Sequence, residues 1–192
     1  VRYVLTRKML SAPGTDMDYS TGNTHLLSAI LTKAAGASTW QFAEQRLARP
    51  LGFGLARWPA DPQGIYFGGN DMLMTPRQMV AFGELYLRGG VAGGSRVLSE
   101  DWIRQSVLPR AQSRWSGQQY GYGWWIRPLA GHDSYHAWGF GGQFIFVVPA
   151  LELVVVSTSS PTVGDDRRMH RRTVDDVIER VVVPAIAAAH QM

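Results

Sequence analysis

A chain of 192 residues with 45% hydrophobic side chains can bury one sizeable core, which excludes disorder and makes a single domain the expectation. The net charge of +4 is scattered except at Arg167, Arg168, Arg171 and Arg172, and with no base-reading or aromatic motif nearby that cluster reads as a solvated helix face, so no nucleic-acid partner is expected. Cysteine is absent, which excludes disulfides and thiolate metal sites, and no run approaches the roughly 20 apolar residues of a membrane span, so no membrane partner is expected either.

Residues 1 to 17 mix apolar and polar side chains and close on Ala12-Pro13-Gly14-Thr15, which predicts a short helix followed by a turn. No signal peptide opens the chain and Val1 is not Met, so an amino-terminal portion is expected to precede it in the natural protein; the compartment stays undecided. Asp18-Tyr19-Ser20-Thr21-Gly22-Asn23 then sets a Tyr and a Ser on a tight turn, with Asn23 or Thr24 able to cap a following helix. That helix is predicted from about Asn23 to Ala35, with Leu26, Leu27, Ile30, Leu31 and Ala34 as its buried face and Gly36 as its left-handed cap. Ser38-Thr39-Trp40-Gln41 has the form of a capping box and opens a second helix through Leu47, stopped by Pro50 and Gly52.

From Phe53 to Met74 periodicity is lost while Gly and Pro are frequent, which predicts a long ordered loop. Thr75-Pro76-Arg77-Gln78 starts a helix whose apolar face is Met79, Phe82, Leu85 and Tyr86 and which Gly89-Gly90 ends; a further helix starts at Ser99 and carries Trp102, Ile103 and Val107. Tyr120 to Ile126 reads as a strand, Tyr135 to Trp138 as a second, and Gln143 to Val148 with Leu151 to Ser157 as a hairpin joined at Pro149-Ala150. The last helix is predicted from about Asp165 to Val183, burying Val174, Val177, Ile178 and Val181, with Asp165-Asp166 at its positive end. Helices, then strands, then a closing helix imply an α+β fold: one domain over residues 1–192, mainly helical over 1–112 and sheet plus helix over 113–192.

Several groups offer chemistry. A phenol fixed at Tyr19 can take part in proton transfer if a cation lowers its ordinary pKa of about 10, though Lys8 and Lys33 are the two lysines and neither is placed to do so; the plain alternative is a helix entry. Gly68-Gly69-Asn70-Asp71 reads as a glycine turn, since no Lys-Ser or Lys-Thr follows to make it a phosphate cradle. His132 and His136 have the spacing of a helical metal pair, but on a strand they stand roughly 13 Å apart, so no metal is expected. A triad drawn from Ser20, His25 or His136, and Asp133 lacks a Gly-x-Ser-x-Gly elbow. Trp124, Trp125 and Trp138 read as core or pocket wall.

The run Tyr19-Ser-Thr-Gly-Asn-Thr-His-Leu-Leu27, with Gly36-Ala37-Ser38, Phe42 to Leu47 and Pro50-Leu51-Gly52, resembles the serine beta-lactamase-like hydrolases, in the branch of esterases and 6-aminohexanoate-dimer hydrolases related to class C beta-lactamases. Gly69 to Pro76, Tyr120 to Trp125 and Ala137 to Phe144 extend the resemblance over nearly the whole chain. It implies the carboxy-terminal part of a beta-lactamase/transpeptidase-like fold and no cofactor. Such enzymes use a nucleophilic Ser in Ser-x-x-Lys, a Tyr-x-Asn motif and a Lys-Thr-Gly or His-Thr-Gly motif on a strand, and they proceed through an acyl-enzyme.

On that resemblance Tyr19 is the catalytic Tyr, while Thr21 stands where Asn is common and offers one hydroxyl donor in place of an amide. The third motif falls at His136 to Gly139, where His136 would have to supply the cation, and Trp138 and Gly139 would line the acyl group, an ester or linear amide more than a β-lactam. No Ser in the chain has a Lys three positions on, so the chain is expected to be inert alone and to associate with a missing amino-terminal segment or with another copy. A non-catalytic ligand-binding module of the same fold is the competing expectation.

Overall fold

The computed structural model describes residues 1–160, 162 and 166–190, the side chain of Arg167 excepted. Two compact units emerge, Val1–Thr75 with Ser113–Trp115, and Pro76–Gln112 with Ser116–Met192.

In the first unit, helix α1 (Arg2–Leu5) precedes α2 (Thr21–Ala35). Ser20 caps α2 by accepting from the Asn23 N–H at 3.3 Å, and Gly36 closes it in the left-handed region at φ 62°, a conformation that costs glycine little. Helix α3 (Thr39–Ala43) starts from the full capping box of Ser38 and Gln41 and widens into a π turn over Glu44–Ala48. The residues from Phe53 to Met74 form the expected ordered loop, and it folds back on these helices. Leu55 and Trp58 join Ala48 in a core with Trp40, Phe53, Tyr66 and Phe67. Each indole is satisfied within that core, since the Trp40 Nε1–H donates to the Leu55 carbonyl at 3.0 Å and Trp58 Nε1–H to that of Phe67 at 2.9 Å.

The expected apolar face of α2 is only partly realised. Leu27 and Ile30 are more than 60% exposed, and the residues of α2 that are buried are His25 and Ser28. A polar seam therefore seats this helix in its unit: Ser28 Oγ donates to the Tyr66 carbonyl at 2.6 Å and meets Thr39 Oγ1 at 2.7 Å, and His25 meets Asp61.

The second unit is built on a six-stranded antiparallel sheet in the order β3 (Ala111–Gln112), β4 (Gln119–Tyr120), β5 (Trp125–Ile126), β6 (Tyr135–Gly139), β7 (Gln143–Val148), β8 (Leu153–Ser157). Helix α4 (Pro76–Leu87), a small hairpin of β1 (Val91–Ala92) and β2 (Ser95–Arg96), and α5 (Glu100–Ser106) precede it. Strand β7 shows why the sheet has helices on both faces. Ile145 and Val147 join the α4 and α5 side chains Tyr86 and Ile103, while Phe144, Phe146 and Val148 join Ile178 and Val183 of the closing helix, the alternation that a pleated strand imposes.

Three expectations are revised here. Tyr120 to Ile126 is not one strand: β4 and β5 pair with each other, Tyr120 opposite Trp125. Gly123 lies at φ 88°, and a Cβ on Gly121 would stand 2.2 Å from the Ser106 carbonyl oxygen, so both glycines belong to a reversal packed on α5. The closing helix runs on to Ala189 as α6 (Arg167–Val177), a π turn over Ile178–Val182 and α7 (Val183–Ala189), with Pro184 tolerated in the first turn of α7. The π turn shifts the buried face, so Ile178 is buried whereas Val177 and Val181 are about half exposed or more. Asp165 lies outside the described residues, and Asp166 at the start of α6 makes no side-chain cap. No helix among the described residues is long and apolar enough to cross a membrane.

Candidate active site

The Tyr19 turn is held from two sides within its own unit. Its carboxyl-side neighbour Ser20 is the α2 cap, and the loop glycines Gly68 and Gly69 press on the first turn of that helix. A Cβ on Gly68 would stand 2.3 Å from the Thr24 carbonyl oxygen, and one on Gly69 would stand 2.3 Å from Thr24 Oγ1 and 2.8 Å from Thr21 Cγ2. Only glycine permits so close an approach of backbone to helix. The Gly68-Gly69 run is thus a clamp on the α2 amino terminus. Tyr19 is 57% exposed, and Thr21 is exposed with its carbonyl accepting from Thr24 Oγ1 at 2.9 Å. Arg114, from the short segment that joins this unit, forms an ion pair with Asp16 just ahead of the turn.

A second tie comes from His25 and Asp61. His25 Nε2 lies 3.0 Å from Asp61 Oδ2, and the Val1 amino group lies 3.4 Å from the same oxygen. Burial pushes the Asp61 carboxyl up, but hydrogen bonds from His25, from the backbone N–H groups of Ile65 and Gln63, and from the Val1 amino group outweigh it and hold the group at about 2, so it is ionised. His25 is therefore committed to the loop and not to a triad with Ser20.

In the second unit the third motif lies on β6 and the turn into β7. His136 is 2% exposed, opposite Trp125 and Phe146 in the sheet, with its ring stacked on Phe146 at 4.9 Å. Burial first, and Arg127 second, lower its pKa to about 3, and its Nδ1 has no hydrogen-bond partner among the described residues. A neutral ring inside the sheet cannot supply the cation expected of it. Trp138 is half-buried, 5.9 Å from the Trp125 ring and 6.3 Å from that of Phe144, and Gly139 pairs with Gln143.

The cation beside the third motif is Arg171, whose guanidinium carbon sits 4.6 Å from the centroid of the Trp138 ring. It belongs to the arginine cluster expected to be a solvated face; Arg168 and Arg172 are exposed, but Arg171 is turned inward. Helical spacing alone gave that cluster no preferred partner, so its sequence carried no signal for this. Gln143 and Ser159 were also missed. The Gln143 side-chain amide donates to the Ser159 carbonyl and accepts from the Ser159 N–H, while Ser159 Oγ donates to the Gly141 carbonyl at 2.6 Å and Ser157 Oγ to that of Gly142 at 3.2 Å. These bonds fasten the turn, in which Gly141 and Gly142 adopt φ of 80° and 91°, to the end of β8. Among the described residues no group of three or more His, Cys, Asp or Glu is placed to hold a metal ion.

Comparison with known proteins agrees with this architecture. The beta-lactamase family model matches residues 1–178. The 6-aminohexanoate-dimer hydrolase of Paenarthrobacter ureafaciens is 27% identical over 173 residues, which is 81% of this chain and 42% of that protein. Among solved structures, a beta-lactamase from Mycobacterium bovis superposes with a TM-score of 0.67 at 18% identity over 89% of this chain and 66% of that one. The octameric penicillin-binding protein homologue from Pyrococcus abyssi gives 0.68 at 17% identity over 91% and 44%. The chain spans less than half the length of the curated relative it matches. These likenesses show an α+β fold of the beta-lactamase and penicillin-binding-protein type.

Proposed function

The chain belongs to the beta-lactamase family, and from that premise we propose that it is the carboxy-terminal portion of a serine hydrolase that cleaves an ester or linear amide through an acyl-enzyme. The observation that carries this reading is the Tyr19 turn: an exposed phenol on a segment fixed by the Ser20 cap and the Gly68-Gly69 clamp, in the family's Tyr motif. A phenol on a rigid turn can pass a proton to and from a serine hydroxyl and a leaving group without searching for its position. In this reading Thr21 is a hydroxyl donor to the substrate, and Trp138 and Gly139 line the acyl group, Gly139 presenting backbone and Trp138 an apolar face. His136 holds the strand in register and does not touch substrate. The name of the Paenarthrobacter relative, 6-aminohexanoate-dimer hydrolase, supports hydrolysis of an amide.

The nucleophile is not among these 192 residues, because neither Lys8 nor Lys33 follows a Ser by three positions. By itself the chain is inert, and hydrolysis requires an upstream Ser-x-x-Lys segment, with which this chain associates. Assaying the pure chain against a chromogenic ester and a chromogenic cephalosporin tests the first statement: clear turnover overturns it. Reading the frame upstream of Val1 tests the second. A Ser-x-x-Lys there, with ester hydrolysis by the longer chain that drops by about two orders of magnitude or more in a Tyr19→Phe variant, is the expected result. A longer chain that binds ester but lacks any such serine makes the protein a non-catalytic binding module.

A further inference from the structure

The side chain of Gln143 does the work of a strand backbone. The β7–β8 ladder ends with Phe144 opposite Ser157, yet Ser159, two residues beyond, has both its N–H and its carbonyl bonded to the Gln143 amide, as a neighbouring strand would bond them. The same side chain covers the last residue of β6. Gly139 pairs with Gln143, and a Cβ on Gly139 would stand 3.1 Å from Gln143 Cβ and 3.5 Å from its Cγ. One side chain thus joins the ends of β6, β7 and β8 at the hairpin that carries Trp138 and Gly139.

We infer that Gln143 is a positioning residue for the hydrolysis proposed above, holding the backbone of the β6–β7 turn in the one conformation that meets the acyl group; the inference rests on that reading. The turn needs holding, because Gly141 and Gly142 adopt φ of 80° and 91° and glycine passes readily to other conformations. Ser159, once seated by Gln143, donates its hydroxyl to the Gly141 carbonyl at 2.6 Å, while Ser157 donates to that of Gly142 at 3.2 Å. The fit is close: a Cβ on Gly142 would stand 2.5 Å from Ser159 Oγ. Across a trans peptide the N–H and C=O point opposite ways, so turning these two carbonyls toward the end of β8 turns the amide hydrogens of Gly142 and Gln143 away from it. The turn's backbone donors therefore have a set direction before any substrate arrives, the condition under which such donors lower a barrier.

The sheet does not need this clasp. Five residue pairs join β7 to β8, and Phe144, Phe146 and Val148 are buried in the core beneath them. The bonds of Gln143 act beyond the last of those pairs, on the turn.

The test separates the turn from the fold. Gln143→Met keeps the length of the side chain and its packing on Gly139 but loses both bonds to Ser159, whereas Gln143→Glu keeps the acceptor and loses the donor. In the 192-residue chain, NMR relaxation should show the Gly141 and Gly142 amides ordered in the parent and mobile in Gln143→Met, with Ile145 to Val148 unchanged. In the longer chain with its upstream Ser-x-x-Lys segment, Gln143→Met should lower kcat for a chromogenic ester about tenfold or more while KM stays within about twofold, and Gln143→Glu should recover part of the loss. Urea unfolding checks that each variant folds, and Ser159→Ala, which frees the Gly141 carbonyl, carries the same measurements if Gln143→Met does not. Parent-like order of the two glycines, parent-like kcat in the variants of an active longer chain, or a kcat loss that only tracks loss of folded protein overturns the positioning role alone. A longer parent chain without ester hydrolysis overturns the hydrolase reading and this role with it.

Discussion

His25 and Asp61 meet at 3.0 Å, joining the second turn of α2 to the loop that carries Gly68 and Gly69. The pair is the buried counterpart of the exposed Tyr19 turn: α2 is seated by hydrogen bonds because its leucine face is largely uncovered within this unit.

Acid should loosen that seat through Asp61. Its carboxyl is held at about 2, below the ordinary 3.8, so between those values the unfolded chain binds the proton and the folded chain does not. Stability from this group is therefore full above about pH 4 and is lost as pH falls toward 2, by about 1–2 kcal/mol once solvent screening is allowed for. Urea unfolding of an Asp61→Asn variant should show lower stability at pH 7 and a shallower acid limb. An unchanged acid limb would remove Asp61 from this account.

The glycine clamp makes a sharper prediction. Gly68→Ala forces a methyl against the Thr24 backbone carbonyl and Gly69→Ala against Thr24 Oγ1, a side chain that can rotate. Gly68→Ala should destabilise by about 2–3 kcal/mol and Gly69→Ala by less. Gly54→Ala, whose new methyl would meet Glu44 Oε1 at an ordinary 3.6 Å, should stay within about 1 kcal/mol of the parent. Thermal melts of the three variants, with the order reversed or flat, would show that the approach is not tight.

What the sequence made legible follows from how local each signal is. The caps Ser38 and Gly36 act within a few residues and stand where expected, whereas α2 is capped by Ser20 in place of Asn23 or Thr24 and so starts at Thr21. Strand β7 was legible because apolar residues on both faces leave it one place, the middle of a sheet. Tyr120 to Ile126 misled because aromatic content mimics a strand while Gly121 presses on the Ser106 carbonyl of α5, a contact no local pattern carries, and Gly123 turns the chain at φ 88°. His136 and Arg171 exchanged expected places for a similar reason. Their sequence neighbourhoods do not say that β6 lies inside the sheet or that α6 turns one arginine toward Trp138.

Helix α4 reaches the sheet through Gly83, where a Cβ would stand 2.6 Å from Val154 Cγ1 and 2.9 Å from Ile145 Cγ2. Both neighbours are β-branched and stiff, so Gly83→Ala gains helix propensity but drives the helix off the sheet. A net loss of about 1–3 kcal/mol is expected. Val154→Ala should relieve part of it, and a double-mutant cycle that finds the two changes additive would place the clash elsewhere.

His136 gives the second unit its own pH dependence. Its folded pKa of about 3 lies below the ordinary 6.5, so between these values the unfolded state takes up a proton that the folded sheet refuses. Stability contributed by the neutral ring is full above about pH 6.5 and declines as pH falls toward 3, by several kcal/mol at the limit. The Arg127 guanidinium adds to the effect, and it is itself held by Glu179 at 2.9 Å and Asp175 at 3.4 Å. Replacing His136 by Phe, which keeps a ring on Phe146 and removes the titrating nitrogen, should flatten the stability profile between pH 6.5 and 4 while leaving the carboxylate-driven limb below pH 4. Equilibrium urea unfolding at half-unit pH steps measures this directly. If parent and variant lose stability in parallel over that window, the imidazole is not the group being titrated, and its enclosure in the sheet has to be reconsidered.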